Sequence, residues 1–79
     1  MIPQDQRPKA GDAVVLMKLP PGLLDNLPME DQEAISEIVG RPVVLNGYDE
    51  LGKAELEFRD KVNTIHFIYV NPDFLKSAK

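Results

Sequence analysis

One histidine, two tyrosines and no cysteine set the limits of the chemistry this 79-residue chain can perform. His66 is the one side chain whose charge ordinarily changes near neutral pH. A metal site wants several converging nitrogen, sulfur or carboxylate ligands, and a single histidine without cysteine does not provide them. Asp49-Glu50-Leu51-Gly52 is too short for a calcium loop with acidic residues at alternating positions. Pro20-Pro21-Gly22-Leu23 and Asn46-Gly47 lack the spacing of a phosphate-cradling loop. Ser36 and Ser77 lie in no nucleophile elbow. Glu55 and Glu57 come nearest to a catalytic pair: two apart on a strand, they stand about 7 Å from each other on one face, a separation found in glycosidases. Simple alternation of charged and apolar residues accounts for them as well. The expectation is no catalytic residue, no metal and no cofactor.

Three groups of residues are left as candidates for binding. Glu30, Glu33 and Glu37 recur at helical spacing and form a carboxylate stripe suited to a basic protein partner. Leu23, Leu24 and Leu27, with Met29 beside them, crowd a short segment between two prolines and a helix. They either plug the open end of a core or form a patch for a partner or a second subunit. Tyr48, His66 and Tyr69 would supply the polar lining of a pocket if the chain assembles around one.

The element that must position most of these residues is a hairpin. Residues 53–59 alternate strictly, with Ala54, Leu56 and Phe58 on one side and Lys53, Glu55, Glu57 and Arg59 on the other. A period of two marks a strand with one buried and one wet face. Residues 64–70 are dense in β-branched and aromatic side chains, as strands prefer. A four-residue loop closing the hairpin without a bulge pairs Phe58 with Ile65, Leu56 with Phe67 and Ala54 with Tyr69. It also sets Glu57 opposite His66 on the wet face.

The remaining chain supplies the cover. Residues 1–10 read as a loose tail and 11–79 as a single domain. Residues 13–19 are apolar at both parities, which predicts a strand covered on both faces and ended by Pro20-Pro21-Gly22. A helix is expected over about 28–39: Pro28 suits a first turn, and Glu30, Asp31 and Glu33 complement the N-terminal dipole. Ala34, Ile35, Ile38 and Val39 share a face, and Gly40 and Pro42 stop the helix. Residues 42–48 form a further strand, and Gly52 allows a positive φ in the turn that follows. Asn71-Pro72-Asp73 makes a tight turn before a stub that tucks Phe74 or Leu75 under the core.

Composition narrows the setting. Nine basic against thirteen acidic residues give a net charge of −4, with no basic cluster, which disfavours nucleic acid. The longest strictly apolar run, 13–17, is far too short to span a bilayer. No signal-peptide pattern opens the chain, so a cytoplasmic location is expected. So short a chain buries only about 60% of its extended surface, which gives oligomerisation a physical motive.

In its pattern the chain resembles the SH3-like small barrels. The resemblance rests on the opening Gly11-Asp12-x-Val14-x-Leu16, the Val39-Gly40 step, Glu55-Leu56-Glu57-Phe58 and the ending Val70-Asn71-Pro72-Asp73-Phe74-Leu75. It covers about 11–75 and implies a mainly β fold with one inserted α-helix, a partly open barrel of four to five strands. A turn of 3₁₀ helix before the last strand is also implied. The helix inserted after the first strand departs from the plain domain and covers the usual peptide groove. Together these readings point to a small acidic protein-interaction module. The alternative is a homodimer or higher homo-oligomer forming a small-molecule pocket at its interface.

Overall fold

Five antiparallel strands form one sheet in the order β4-β3-β2-β1-β5, and a single α-helix interrupts it after the first strand. The computed structural model describes residues 7–78. The strands are β1 (Ala13–Leu16), β2 (Pro42–Tyr48), β3 (Ala54–Arg59), β4 (Ile65–Val70) and β5 (Leu75–Ser77), with α1 over Met29–Ile38. The sheet does not close on itself, so β4 and β5 are both edges of a mainly β, partly open barrel. The tail expected over 1–10 falls mostly outside the described residues. Arg7 and Pro8 are held against Tyr48: the guanidinium lies 5.0 Å from the ring centre, and the Tyr48 hydroxyl donates to Pro8 O at 2.7 Å.

The core is the inner face of the sheet with α1 laid across it. Val14, Leu16, Val43, Leu45, Ala54, Leu56, Phe58, Ile68, Val70 and Leu75 come from the strands, and Ala34, Ile35 and Ile38 from the helix. β1 is shorter than its apolar run suggests. The Met17 N–H bonds to Phe74 O at 2.8 Å instead of a strand partner, and Met17 itself is exposed. Val14, Val15 and Leu16 are all buried, as a strand covered on both faces requires. Gly40 ends the helix with φ 84° and donates to Leu16 O at 2.9 Å, which brings the chain straight back to the sheet. The terminal segment forms a 3₁₀ turn, Pro72–Phe74, and then β5, whose Leu75 is buried against the core.

Two loops of identical build join β2 to β3 and β3 to β4. In the first, the Asp49 N–H donates to Lys53 O and the Gly52 N–H to Asp49 O, and Asp49 Oδ1 accepts from the amides of Leu51 and Lys53. In the second, the Asp60 N–H donates to Thr64 O and the Asn63 N–H to Asp60 O, and Asp60 Oδ1 accepts from the amides of Val62 and Thr64. Each is a turn followed by one left-handed residue, Gly52 at φ 80° and Asn63 at φ 68°.

That extra left-handed residue overturns the expected hairpin register. The observed partners are Phe58 with His66, Leu56 with Ile68 and Ala54 with Val70, one residue away from a bulge-free loop. Because side chains alternate, a slip of one exchanges the faces of the whole strand. His66, Ile68 and Val70 therefore turn inward, while Ile65, Phe67 and Tyr69 turn outward. Glu57 faces Phe67 and not His66.

Candidate functional site

β4 is an edge strand of six residues whose two rows have separate environments. In an antiparallel ladder, residues alternate between pairs that exchange hydrogen bonds and pairs that do not. The Asp60–Thr64 bond fixes the phase, so Phe58–His66, Leu56–Ile68 and Ala54–Val70 are the bonded pairs. The N–H and C=O groups of Ile65, Phe67 and Tyr69 consequently point away from β3, toward the open edge. The side chains of the same three residues stand on the outer face, 41, 55 and 50% exposed. β4 thus presents an apolar row and a free backbone edge together.

A polar network fixes the outer face beside this row. Asn46 Nδ2 donates to Glu55 Oε2 at 2.9 Å and to Glu57 Oε1 at 3.1 Å, and the Tyr69 hydroxyl donates to Glu55 Oε1 at 2.7 Å. Asn46 gets there because the β2–β3 register shifts between Leu45 and Gly47, a bulge at which Gly47 adopts φ 152°. The bonds from Asn46 first, and then Tyr69, hold the Glu55 carboxyl below the ordinary carboxylate range. The same bond to Glu55 pushes the Tyr69 hydroxyl above its usual value. These two glutamates are tied together through Asn46 on one sheet face.

The inner row ends in a histidine clamp. His66 Nε2 lies 2.8 Å from Asp60 Oδ2 and Nδ1 lies 3.5 Å from Asp31 Oδ1, and the ring stacks on Phe58 with centroids 5.3 Å apart. The side chains of His66 and Asp60 are only 11 and 15% exposed, which excludes the wet-face pairing with Glu57. The His66 bond, followed by the Thr64 amide, holds the Asp60 carboxyl below its ordinary range. This clamp joins the β3–β4 loop, the edge strand and the first turn of α1. Its two bonds and the stacked ring hold these three elements in fixed relation.

Between the edge and the helix lies an apolar cleft of about 330 Å³, with Leu23, Leu27 and Ile35 on one wall and Ile68 on the other. Asp31 and His66 also line it. Leu23, Leu24 and Leu27 are half-buried against the core, and Leu23 and Leu27 also line the cleft. Glu30, Glu33 and Glu37 all lie exposed on α1, and Glu37 meets Lys61 at 3.6 Å.

Within one chain, Tyr69 borders two clefts, sharing one with His66 and a second, of about 210 Å³, with Tyr48, Asn46 and Glu55. Tyr48 sits inward at the other end of the barrel, against the core and Pro8. Burial there raises the Tyr48 hydroxyl above its usual value, with Arg7 opposing the shift. Among the described residues no group of three or more His, Cys, Asp or Glu could hold a metal ion. No described helix is long and apolar enough to cross a membrane. Ile65, Phe67, Asn46, Asp31 and Asp60 are participants that spacing alone did not identify. The usable signal was Asp60 followed by Asn63, the same turn chemistry as Asp49 followed by Gly52. No family model matches the chain, and neither a curated protein nor a solved structure does.

Proposed function

We propose that this chain is a small acidic protein-interaction module whose contact surface is β4. The observation that carries the reading is the row of Ile65, Phe67 and Tyr69, three large exposed side chains on an edge strand with its backbone groups free. Proteins ordinarily blunt such edges with charge, proline or cover. β4 has none of these on its outward row. The strand order, with a 3₁₀ turn before β5, supports placing the chain among the SH3-like barrels that its sequence pattern resembles.

The net charge of −4 and the exposed Glu30, Glu33 and Glu37 favour a basic protein partner on the helix side of the sheet, opposite the outer face of β4. Affinity capture with three forms of the protein separates the two surfaces. Phe67→Ser with Tyr69→Ser is expected to abolish capture that depends on β4 while leaving the melting midpoint unchanged. Glu30→Gln, Glu33→Gln and Glu37→Gln together are expected to weaken capture of basic partners, most strongly at low salt where exposed charges act furthest. Equal capture by parent and both variants would eliminate the reading.

A further inference from the structure

We infer that the outer edge of β4 pairs with β4 of a second copy, antiparallel and centred on Phe67. The inference rests on β4 being the contact surface and names its occupant. Only residues whose backbone groups face outward can form the new ladder, and these are Ile65, Phe67 and Tyr69. A two-fold axis through Phe67 satisfies that parity at every position. Phe67 meets the partner's Phe67, and Ile65 meets the partner's Tyr69. Three such pairs exchange all the free donors and acceptors of the three residues in both copies. On the outer face they also set apolar beside apolar along the whole seam, a cross-strand arrangement that stabilises sheets.

Charge permits the pairing despite the acidity of the chain. Each β3 presents Arg59, Glu57 and Glu55 outward, opposite Ile65, Phe67 and Tyr69 respectively. Across the two-fold, Arg59 shares a row with the partner's Glu55, which is of opposite sign. Glu57 shares a row with the partner's Glu57, but three strand spacings, about 14 Å, lie between them. That exceeds the screening length of about 8 Å at physiological ionic strength.

Area sets the strength. Two half-exposed aromatic rings and Ile65 offer roughly 250 Å² per copy. Even with the backbone edge added, this stays below the 1,200 Å² or so at which stable interfaces begin. The dimer is therefore weak and governed by concentration. Both α1 helices lie on one side of the joined sheet, which doubles the acidic face offered to a basic partner.

The chain has no cysteine, so a single introduced thiol reports on one position. In this register the two Phe67 Cα atoms stand about 5.5 Å apart, inside the window for a disulfide. Phe67→Cys under mild oxidation is expected to form a covalent dimer at least tenfold faster than Tyr69→Cys or Ile65→Cys, whose own copies are four residues out of register. The parent protein is expected to gain mass with concentration in sedimentation equilibrium, and Phe67→Glu to stay monomeric. All three positions are exposed, and circular dichroism checks that each of the four variants is folded. Equal crosslinking at the three positions, or a parent that remains monomeric up to millimolar concentration, would overturn the inference. If capture of a foreign protein is still lost in the β4 variants under that result, the contact-surface reading survives with a different occupant. If capture is unaffected as well, both fail.

Discussion

His66, Ile68 and Val70 point from β4 into the molecule, whereas Ile65, Phe67 and Tyr69 point out of it, and by composition the outward row is the more aromatic of the two. The inward row is held by packing and by the clamp from His66 to Asp60 and Asp31. The outward row faces only Arg59, Glu57 and Glu55 across β3. The other edge makes the contrast sharper. β5 is three residues long, exposes Lys76 and Ser77, and tucks Leu75 inward. One edge of this sheet is short and polar, and the other is long, apolar and open. Hydrophobic content alone therefore does not say which row of a strand is core; the turn that sets its parity does.

Substitution on the two rows should differ most in stability. Ile68→Ala removes a buried side chain and is expected to cost about 2–5 kcal/mol. Phe67→Ser is expected to change stability by less than about 0.5 kcal/mol, as exposed sites do. Chemical denaturation of the two variants side by side measures this, and similar losses in both would mean that the rows have been exchanged.

His66→Ala should have the next largest effect, and it has a pH signature that a packing defect lacks. The folded-state pKa of Asp60 is depressed, first by its bond from His66 and then by the Thr64 amide. Its contribution is present above the unfolded carboxylate pKa of about 3.9 and is lost as pH falls through the lower folded value. Removing His66 takes away the first cause, so acid unfolding of the variant is expected to begin at higher pH than in the parent. An acid limb that does not move would show that the clamp is geometrically present but energetically silent.

The turn itself predicts a smaller change. Asn63 holds a left-handed conformation, which asparagine tolerates and alanine resists by about 1 kcal/mol. Asn63→Ala is expected to lower stability by that amount, while Asn63→Gly leaves stability and register intact. A loss on going to glycine equal to that with alanine would point to the Asn63 side chain, whose oxygen accepts from Arg59, as the important element.

Smallest is the effect at the outer network. Tyr69→Phe should let the Glu55 carboxyl titrate somewhat higher, and Asn46→Ala should let it rise further, because the Asn46 bond is the larger cause of its depression. Neither is expected to move the melting midpoint. Carboxyl-resolved NMR titration follows both, and the reverse order would reassign the network.

Strand and helix positions were readable because they follow from strict periodicity. Ala54, Leu56 and Phe58 alternate with charge, and Ala34, Ile35 and Ile38 recur at helical spacing; all six are buried. The terminal Asn71-Pro72 signal likewise led to a turn and a stub that buries Leu75. Register was not readable from residues 64–70, since that segment is apolar at both parities and periodicity cannot choose its inner face. Glycine announces a left-handed position plainly, as at Gly52, whereas Asn63 does so only through its place three residues after Asp60. That one residue decides whether His66 lies in a buried clamp or in a surface pair with Glu57, and whether Phe67 faces solvent or the core. The candidate site was illegible for the same reason, because its outward row and the free edge both follow from that parity.

Amide hydrogen exchange on β4 tests the central claim most directly. In dilute solution the amides of His66, Ile68 and Val70 are expected to be protected by β3, while those of Ile65, Phe67 and Tyr69 exchange freely. Raising the protein concentration should then slow exchange at Ile65, Phe67 and Tyr69. Protection of those three at every dilution would mean that the edge is already covered, and free exchange at His66, Ile68 and Val70 would mean that the strand is turned the other way.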